Sequence, residues 1–134
     1  GDPECQTILP KLETDLIDIL LACCTGNLQD ISIKWKNKKS LCVVLCSNGY
    51  PDKFKKNVEV ANIQNIETDK NNLLFHAGTV IKDNKTYATG GRVLNFVSLS
   101  DNFKLSRENI TKNLKKLNWY GGFYRKDIGY KVIE

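Results

Sequence analysis

The stretch TYATGGRVLNF (86–96) places two glycines and an arginine inside a run that otherwise favours a β-strand. A glycine in a strand marks a bulge, or a point where a ligand or another backbone approaches closely. Arg92 is also one of only three arginines among the chain's 20 lysines and arginines. Because a guanidinium grips phosphate or carboxylate through two hydrogen bonds, Gly90, Gly91 and Arg92 form a candidate anion site. The alternative is a bulged strand whose arginine points into water.

A second candidate segment surrounds His76, the one histidine of the sequence, which Gly78 and Thr79 follow in LLFHAGTVI. If this strand pairs with the glycine and arginine stretch, all three residues lie close to Arg92. A lone histidine beside an apolar strand is equally a structural residue with a hydrogen-bonded ring. A single imidazole excludes a histidine-rich metal site.

The carboxylates of Asp2 and Glu4, in GDPE, have the chemistry to bind a metal ion or a substrate ammonium group. Carboxylates near the beginning of a chain are also commonly solvated. The sequence contains no nucleophile and base pair, no P-loop and no dinucleotide fingerprint. These residue types therefore indicate binding rather than a complete catalytic centre.

The segment WYGGFYRK (119–126) interleaves aromatic residues with glycine and basic residues. This pattern occurs where aromatic rings stack on the bases of single-stranded nucleic acid, and the net charge of +5 is compatible with such a partner. The lysines are nevertheless scattered rather than gathered in one stripe, and aromatic residues on an edge strand also cover a core. A basic nucleic-acid-binding module is thus the alternative function.

Composition restricts the class of protein further. The chain of 134 residues has the size of one domain, and no apolar run approaches the roughly 18 residues of a membrane span. Five cysteines without CxxC spacing speak against a zinc site and against a secreted disulfide framework. Cys42 and Cys46, in LCVVLC, are expected to be small buried residues in a reducing cytoplasm.

The spacing of apolar residues predicts the elements that must position these candidates. TDLIDILLACCTGN (14–27) is expected to form a helix with Thr14 as its N-cap and Gly26 at its end. ISIKW and LCVVLCS, on either side of KNKKS, predict a hairpin. LLFHAGTVI and KTYATGGRVLNFVSLS predict a second hairpin, in which Asp83 and Asn84 adopt positive φ.

A second helix and a final strand complete the expected fold. The inner face of the helix is expected to consist of Phe103, Ser106, Ile110, Leu114 and Leu117. WYGGFYRKDIGYKVIE is expected to form an edge strand. This order of elements predicts an α+β fold with a mostly antiparallel sheet and flanking helices, and it places one domain boundary between Gly26 and Asp30.

Several segments, in this order and spacing, closely resemble the C-terminal part of the phosphoribosylamine–glycine ligase family of ATP-grasp enzymes: GDPECQTILPKLETDL, SNGYP, LLFHAGTVIKDNK, TGGRVLNFVSLSDN and FYRKDIGYK. The resemblance implies a cytoplasmic ligase of purine biosynthesis that joins glycine to 5-phosphoribosylamine through glycyl phosphate, with hydrolysis of ATP to ADP and phosphate. In that family ATP and magnesium are handled upstream of GDPE. This chain alone is therefore expected to be inactive and to partner the rest of its enzyme, with no membrane or nucleic acid.

The resemblance also implies a division of the chain. Residues 1–28 would be the end of the ATP-grasp domain, including its last helix, and residues 29–134 the small, barrel-sandwich-like C-terminal domain. The loop after SNGYP lacks the glycine usual in the family, so Asn57 is expected to adopt positive φ.

Roles for the candidate residues follow from the same resemblance. Arg92 would bind the 5′-phosphate of phosphoribosylamine, with Gly90 and Gly91 making room and with 76–79 lining the same pocket. Asp2 and Glu4 would face glycine or the substrate amine. Arg125 and Asp127 are also typical of the family, although an internal ion pair explains them equally well. No catalytic or metal-binding residue is expected within the chain.

Overall fold

The protein, described by a computed structural model over residues 1–133, combines short helices with two antiparallel sheets. The helices are α1 (Glu4–Ile8), α2 (Leu16–Thr25) and α3 (Phe103–Leu114), accompanied by short 3₁₀ turns. The strands are β1 (Lys39–Ser47), β2 (Val58–Glu59), β3 (Asn72–His76), β4 (Thr79–Lys82), β5 (Lys85–Ala88), β6 (Arg92–Ser100) and β7 (Gly122–Phe123). The predicted α+β class with antiparallel pairing is confirmed. No helix in the described part of the chain is long and apolar enough to cross a membrane.

The larger sheet has the strand order β3-β6-β1-β7, so β6 lies at its centre. Every residue of β6 after Arg92 is buried, because α3 packs near one face of the sheet and α1 near the other. The main core lies on the α3 side and consists of Leu41, Val43, Leu45, Val60, Ala88, Val93, Leu94, Phe96, Ile110 and Leu114. Arg92 thus stands at the exposed end of a strand that is otherwise buried.

The smaller sheet has the order β2-β5-β4 and contains the predicted hairpin turn. Asp83 and Asn84 have φ of 50° and 58°, as expected for the turn between β4 and β5. The expected hairpin is nevertheless divided between two sheets, because β3 pairs with β6 and β4 pairs with β5. Asn57 also has the expected positive φ, at 57°.

The predicted hairpin of ISIKW with LCVVLCS is wrong. β1 pairs with β6 and β7, whereas Trp35 forms an isolated bridge with Leu12. The ISIKW segment is held by residues that precede α2, since Glu13 N donates to Lys34 O at 3.0 Å. β1 is covered on both of its edges by strands distant in sequence, a pairing that no local pattern signals.

The cap predicted for α2 is also corrected. Asp15 caps the helix by accepting a hydrogen bond from Ile17 N at 2.8 Å. Thr14 Oγ1 instead accepts from Lys34 N at 2.7 Å, which helps to hold the ISIKW segment. Gly26 ends the helix with φ of 76°, as predicted.

The predicted inner face of α3 is confirmed in its main features. Ser106, Ile110 and Leu114 are buried, while Leu117 lies beyond the end of the helix and packs against the core from there. The predicted edge strand over WYGGFYRKDIGYKVIE is wrong over most of its length. Only Gly122–Phe123 form a strand, β7, which pairs with the end of β1 at the edge of the larger sheet, and Tyr130–Val132 form a 3₁₀ turn.

Candidate anion-binding site

The candidate site is built on a contact between two glycines. Gly78 N donates to Arg92 O at 2.9 Å, and Gly78 O accepts from the amides of Thr89 and Gly90 at 2.8 and 3.2 Å. A Cβ atom added to Gly78 would lie 2.6 Å from Gly90 Cα. The structure therefore brings the segments 76–79 and 90–92 together, as expected from their pairing.

Gly90 and Gly91, the glycine pair, do not leave the room for a ligand that the resemblance implied. A Cβ atom on Gly91 would overlap the Tyr50 ring, and one on Gly90 would lie 2.9 Å from Gly78 Cα. Ser47, which is 1% exposed, is hydrogen-bonded to both glycines of the pair. Its N donates to Gly91 O and its Oγ to Gly90 O, both at 2.8 Å. The lack of side chains at Gly90 and Gly91 thus makes space for protein atoms, and the resulting contacts fix the backbone that leads into Arg92.

The Arg92 guanidinium meets a carboxylate from the beginning of the chain. Arg92 Nη2 lies 2.9 Å from Asp2 Oδ2, with side chains 41% and 39% exposed. The other oxygen, Asp2 Oδ1, accepts from Gln6 Nε2 at 3.1 Å. The strand register shifts between Leu45 and Cys46, opposite Arg92. The irregular strand of the second alternative is therefore present, but its arginine is paired with a carboxylate of the protein rather than directed into open water.

Two thiols of β1 lie near this ion pair. Burial raises the pKa of Cys42 to about 11, against a hydrogen bond with Thr7 that lowers it, and the charge of Asp2 adds to the rise. Burial also raises the pKa of Cys46, although the nearby charge of Arg92 opposes this. Both cysteines are partly buried and free, in line with their expected packing role. At neutral pH both thiols are protonated and add no charge to the site.

The remaining candidates lie at the margin of the site. His76 Nδ1 and Thr79 Oγ1 are 2.9 Å apart. Phe75 lines an apolar groove together with Gln6 of α1, so alternation along β3 directs His76 to the opposite side of the sheet. Glu4 lies against the first residue, because a Cβ atom on Gly1 would be 2.5 Å from Glu4 Oε2.

The other two arginines are engaged within the fold. Arg125 forms a two-bond ion pair with Asp127, at 3.1 and 2.6 Å. Hydrogen bonding to Arg125 lowers the pKa of the Asp127 carboxyl. Arg107 donates to the backbone oxygen of Lys126. The internal ion pair considered for Arg125 and Asp127 is thus present.

The aromatic segment 119–124 serves mainly to cover the core. The Trp119 ring fills the space beside Gly122, and Phe123 pairs with Cys46 as part of β7. This arrangement does not support the nucleic-acid alternative. Within residues 1–133, no group of three or more His, Cys, Asp or Glu residues is arranged to hold a metal ion.

Sequence reasoning missed three residues that shape the site. Ser47 anchors the glycine pair, Tyr50 packs on Gly91, and Gln6 orients Asp2. Gln6 and Tyr50 lie inside the segments GDPECQ and SNGYP, whose spacing carried the family resemblance. That spacing was the one available signal, since neither side chain is reactive.

Comparison with known proteins identifies the family to which this site belongs. Residues 40–131 match the model of the phosphoribosylglycinamide synthetase C domain. This range includes Arg92 and the contact between Gly78 and Gly90. The chain belongs to the phosphoribosylglycinamide synthetase C-domain family. Asp2 and Gln6 precede the matched residues.

Individual relatives match nearly the whole chain, including residues that the family model does not cover. The phosphoribosylamine–glycine ligase of Caldanaerobacter subterraneus is 41% identical over 96% of the chain and 30% of the relative. The chloroplastic phosphoribosylamine–glycine ligase of Arabidopsis thaliana is 38% identical over 99% of the chain and 25% of the relative. The crystal structure of the phosphoribosylamine–glycine ligase of Thermotoga maritima superposes with a TM-score of 0.79 at 27% identity, over 96% of this chain and 31% of that one. The chain thus spans at most about a third of the length of these relatives.

Proposed function

We propose that this chain is the C-terminal part of a phosphoribosylamine–glycine ligase of purine biosynthesis. The complete enzyme joins glycine to 5-phosphoribosylamine through glycyl phosphate and converts ATP to ADP and phosphate. Membership in the C-domain family and the names of the relatives support this assignment. The role of this chain is to form one wall of the phosphoribosylamine site.

In this proposal the rest of the enzyme supplies the chemistry of ATP and magnesium. The chain corresponds to about 30% of a full-length relative, so most of the protein lies outside it. Residues 1–28 belong to the end of the ATP-grasp domain and residues 29–134 form the C-terminal domain. The chain by itself is inactive, and the complete enzyme works in the cytoplasm.

The proposed role of this chain rests on the position and surroundings of Arg92. Its backbone is held by Gly78, and its guanidinium is 41% exposed at the end of the central strand. Asp2 contacts Nη2, and a guanidinium carries five N–H donors, so donors are left for a ligand. Arg92 binds the 5′-phosphate of phosphoribosylamine, in a charge-assisted contact of the kind that contributes about 1.5–3 kcal/mol.

The neighbouring candidates have supporting roles in the same proposal. Gly90 and Gly91 hold Arg92 in place, whereas Gly78, Thr79 and the backbone at His76 line the pocket beside it. Glu4 faces glycine or the substrate amine at the edge of the site. Asp2 contacts Arg92 directly, and its role is taken up below.

Substitution of Arg92 by lysine in the full-length enzyme tests this assignment. Lysine keeps the charge but loses the planar fork of donors, so the KM for phosphoribosylamine should rise about tenfold, with little change in the KM for ATP. Arg107→Lys is the matched control, because Arg107 bonds to the backbone of Lys126 instead. Equal changes in both KM values, or none, would show that Arg92 is not the phosphate ligand.

A further inference from the structure

The contact between Asp2 and Arg92 points to a role for Asp2 that differs from direct substrate binding. We propose that Asp2 is a positioning residue whose carboxylate holds the Arg92 guanidinium ready for the substrate anion. This inference rests on the proposed function of Arg92 as an anion receptor. It goes further by assigning the two Asp2 oxygens to the protein rather than to a substrate.

Both oxygens of the Asp2 carboxylate are held by contacts with other residues of the chain. Oδ2 lies 2.9 Å from Arg92 Nη2, and Oδ1 accepts from Gln6 Nε2 at 3.1 Å. Gln6 lies in α1, which packs near the sheet that carries Arg92. A carboxylate held in this way presents a fixed acceptor, so it can also fix the side chain that donates to it.

Arg92 benefits from such a partner because its backbone is hydrogen-bonded whereas its long side chain is partly exposed. The backbone is anchored by the hydrogen bond from Gly78 to its carbonyl oxygen. The long side chain extends to a partly exposed position, where it would otherwise sample many rotamers. Ordering such a side chain at the moment of binding weakens affinity, and an ion pair formed beforehand removes that penalty.

The nearby thiols of Cys42 and Cys46 do not compete with Asp2 for the Arg92 guanidinium. Cys42 and Cys46 face Asp2 and Arg92 as protonated thiols, since burial raises the pKa of each. They therefore leave Asp2 as the anionic neighbour that Arg92 is shown to contact. Asp2 occupies one end of the guanidinium, and the remaining donors stay available to the substrate anion.

The test is a double-mutant cycle in the full-length ligase, with Asp2→Asn, Arg92→Lys and both together. Asp2→Asn should raise the KM for phosphoribosylamine about tenfold while kcat and the KM for ATP change less than about twofold. The double variant should bind no worse than Arg92→Lys alone, because the planar guanidinium that Asp2 orients is already absent from that variant. Asp2→Glu, which keeps the charge, should recover part of the loss.

The control is Asp101→Asn. Asp101 pairs with Lys38 at 2.6 Å, at the opposite end of the paired strands β1 and β6. This variant removes a carboxylate from an exposed ion pair on the same sheet, and it should leave both KM values unchanged.

The outcomes separate this inference from the function on which it rests. If Arg92→Lys has no selective effect, the proposed anion receptor is wrong. If Arg92→Lys acts as expected but Asp2→Asn leaves the KM unchanged or lowers it, Arg92 binds the anion and Asp2 does not position it. Additive effects would show that Asp2 contacts the substrate itself, which also overturns positioning. Should Asp2→Asn fail to fold, Gln6→Ala releases the same carboxylate, and its smaller rise in KM should vanish in the Arg92→Lys background.

Discussion

Gly78 and Gly90 touch each other through their backbones. A Cβ atom on Gly78 would lie 2.6 Å from Gly90 Cα, and one on Gly90 would lie 2.9 Å from Gly78 Cα. Backbone atoms cannot yield to such a contact as the end of a flexible side chain can. The contact therefore joins the chain segments that connect the two sheets, and it supports the backbone of Arg92.

Alanine at Gly78 should destabilise the fold for this reason. We expect Gly78→Ala to lower the free energy of unfolding by about 1–3 kcal/mol, the usual size of an overpacking effect. Urea denaturation of the chain measures it. Lys82→Ala, on the exposed part of β4, is the control and should change stability by less than about 0.5 kcal/mol. An unchanged urea midpoint for Gly78→Ala would mean that the backbones of Gly78 and Gly90 are not in contact.

Asn95 should be replaceable by an apolar residue with a gain in stability. It is 1% exposed, and neither its Oδ1 nor its Nδ2 has a hydrogen-bond partner among the described residues. Asn95→Val should raise the free energy of unfolding by about 1–3 kcal/mol, because it removes an unpaired buried amide.

The matched comparison for this prediction is Asn72→Val, on the neighbouring strand. Asn72 Oδ1 accepts from Ser98 Oγ at 2.8 Å, so loss of the amide should destabilise the chain. The two variants should differ in sign in the same urea experiment. Destabilisation by both would indicate that a buried water satisfies Asn95.

The stability of the chain should depend on the Cys42 thiol at high pH. The pKa of Cys42 is raised from 9.0 to about 11 in the folded protein. Well below pH 9 the thiol is protonated in both states, whereas between about pH 9 and 11 the unfolded chain loses most of a proton that the folded protein retains. Stability should therefore fall as the pH rises through this window.

Unfolding free energies at pH 8.5 and 10.5 would check this dependence. Cys42→Val removes the thiol and should lose less stability between the two pH values than the unmodified chain. Cys23→Val, at an exposed position of α2, should follow the unmodified chain. Parallel pH curves for all three proteins would rule out the proposed linkage.

The apolar side of α2 should matter only in the complete enzyme. Ile17 and Leu21 are 65% and 59% exposed, and the proposed division places this helix in the ATP-grasp domain. Ile17→Lys should change the stability of the chain by less than about 0.5 kcal/mol. In the full-length enzyme the same change should lower the thermal midpoint, because it would bury a charge.

Ala22→Lys is the control for this comparison. Ala22 is the buried residue of α2, at 8% exposure, so its replacement should destabilise both proteins. If Ile17→Lys leaves the full-length enzyme as stable as before, the side of α2 that carries Ile17 is not an internal surface of that enzyme, and the proposed division at residue 28 loses its support.

The sequence by itself determined the features that depend on neighbouring residues. Gly26 ends α2, Asp83 and Asn84 form the turn between β4 and β5, and Ile110 lies on the inner face of α3. Each follows from backbone preferences or from the helical period, which act within a few residues. The spacing of short segments also led to the right family, and residue chemistry singled out Asp2 and Arg92.

Only the tertiary structure decided how these parts meet. β1 pairs with β6 rather than with its neighbour in sequence, Tyr50 occupies the space beside Gly91, and the carboxylate of Asp2 reaches Arg92 across 90 positions of the chain. Such contacts depend on which surfaces fit together once the whole core has formed, and no local preference encodes them. For that reason the sequence could name both members of the ion pair but could not show that they bind each other.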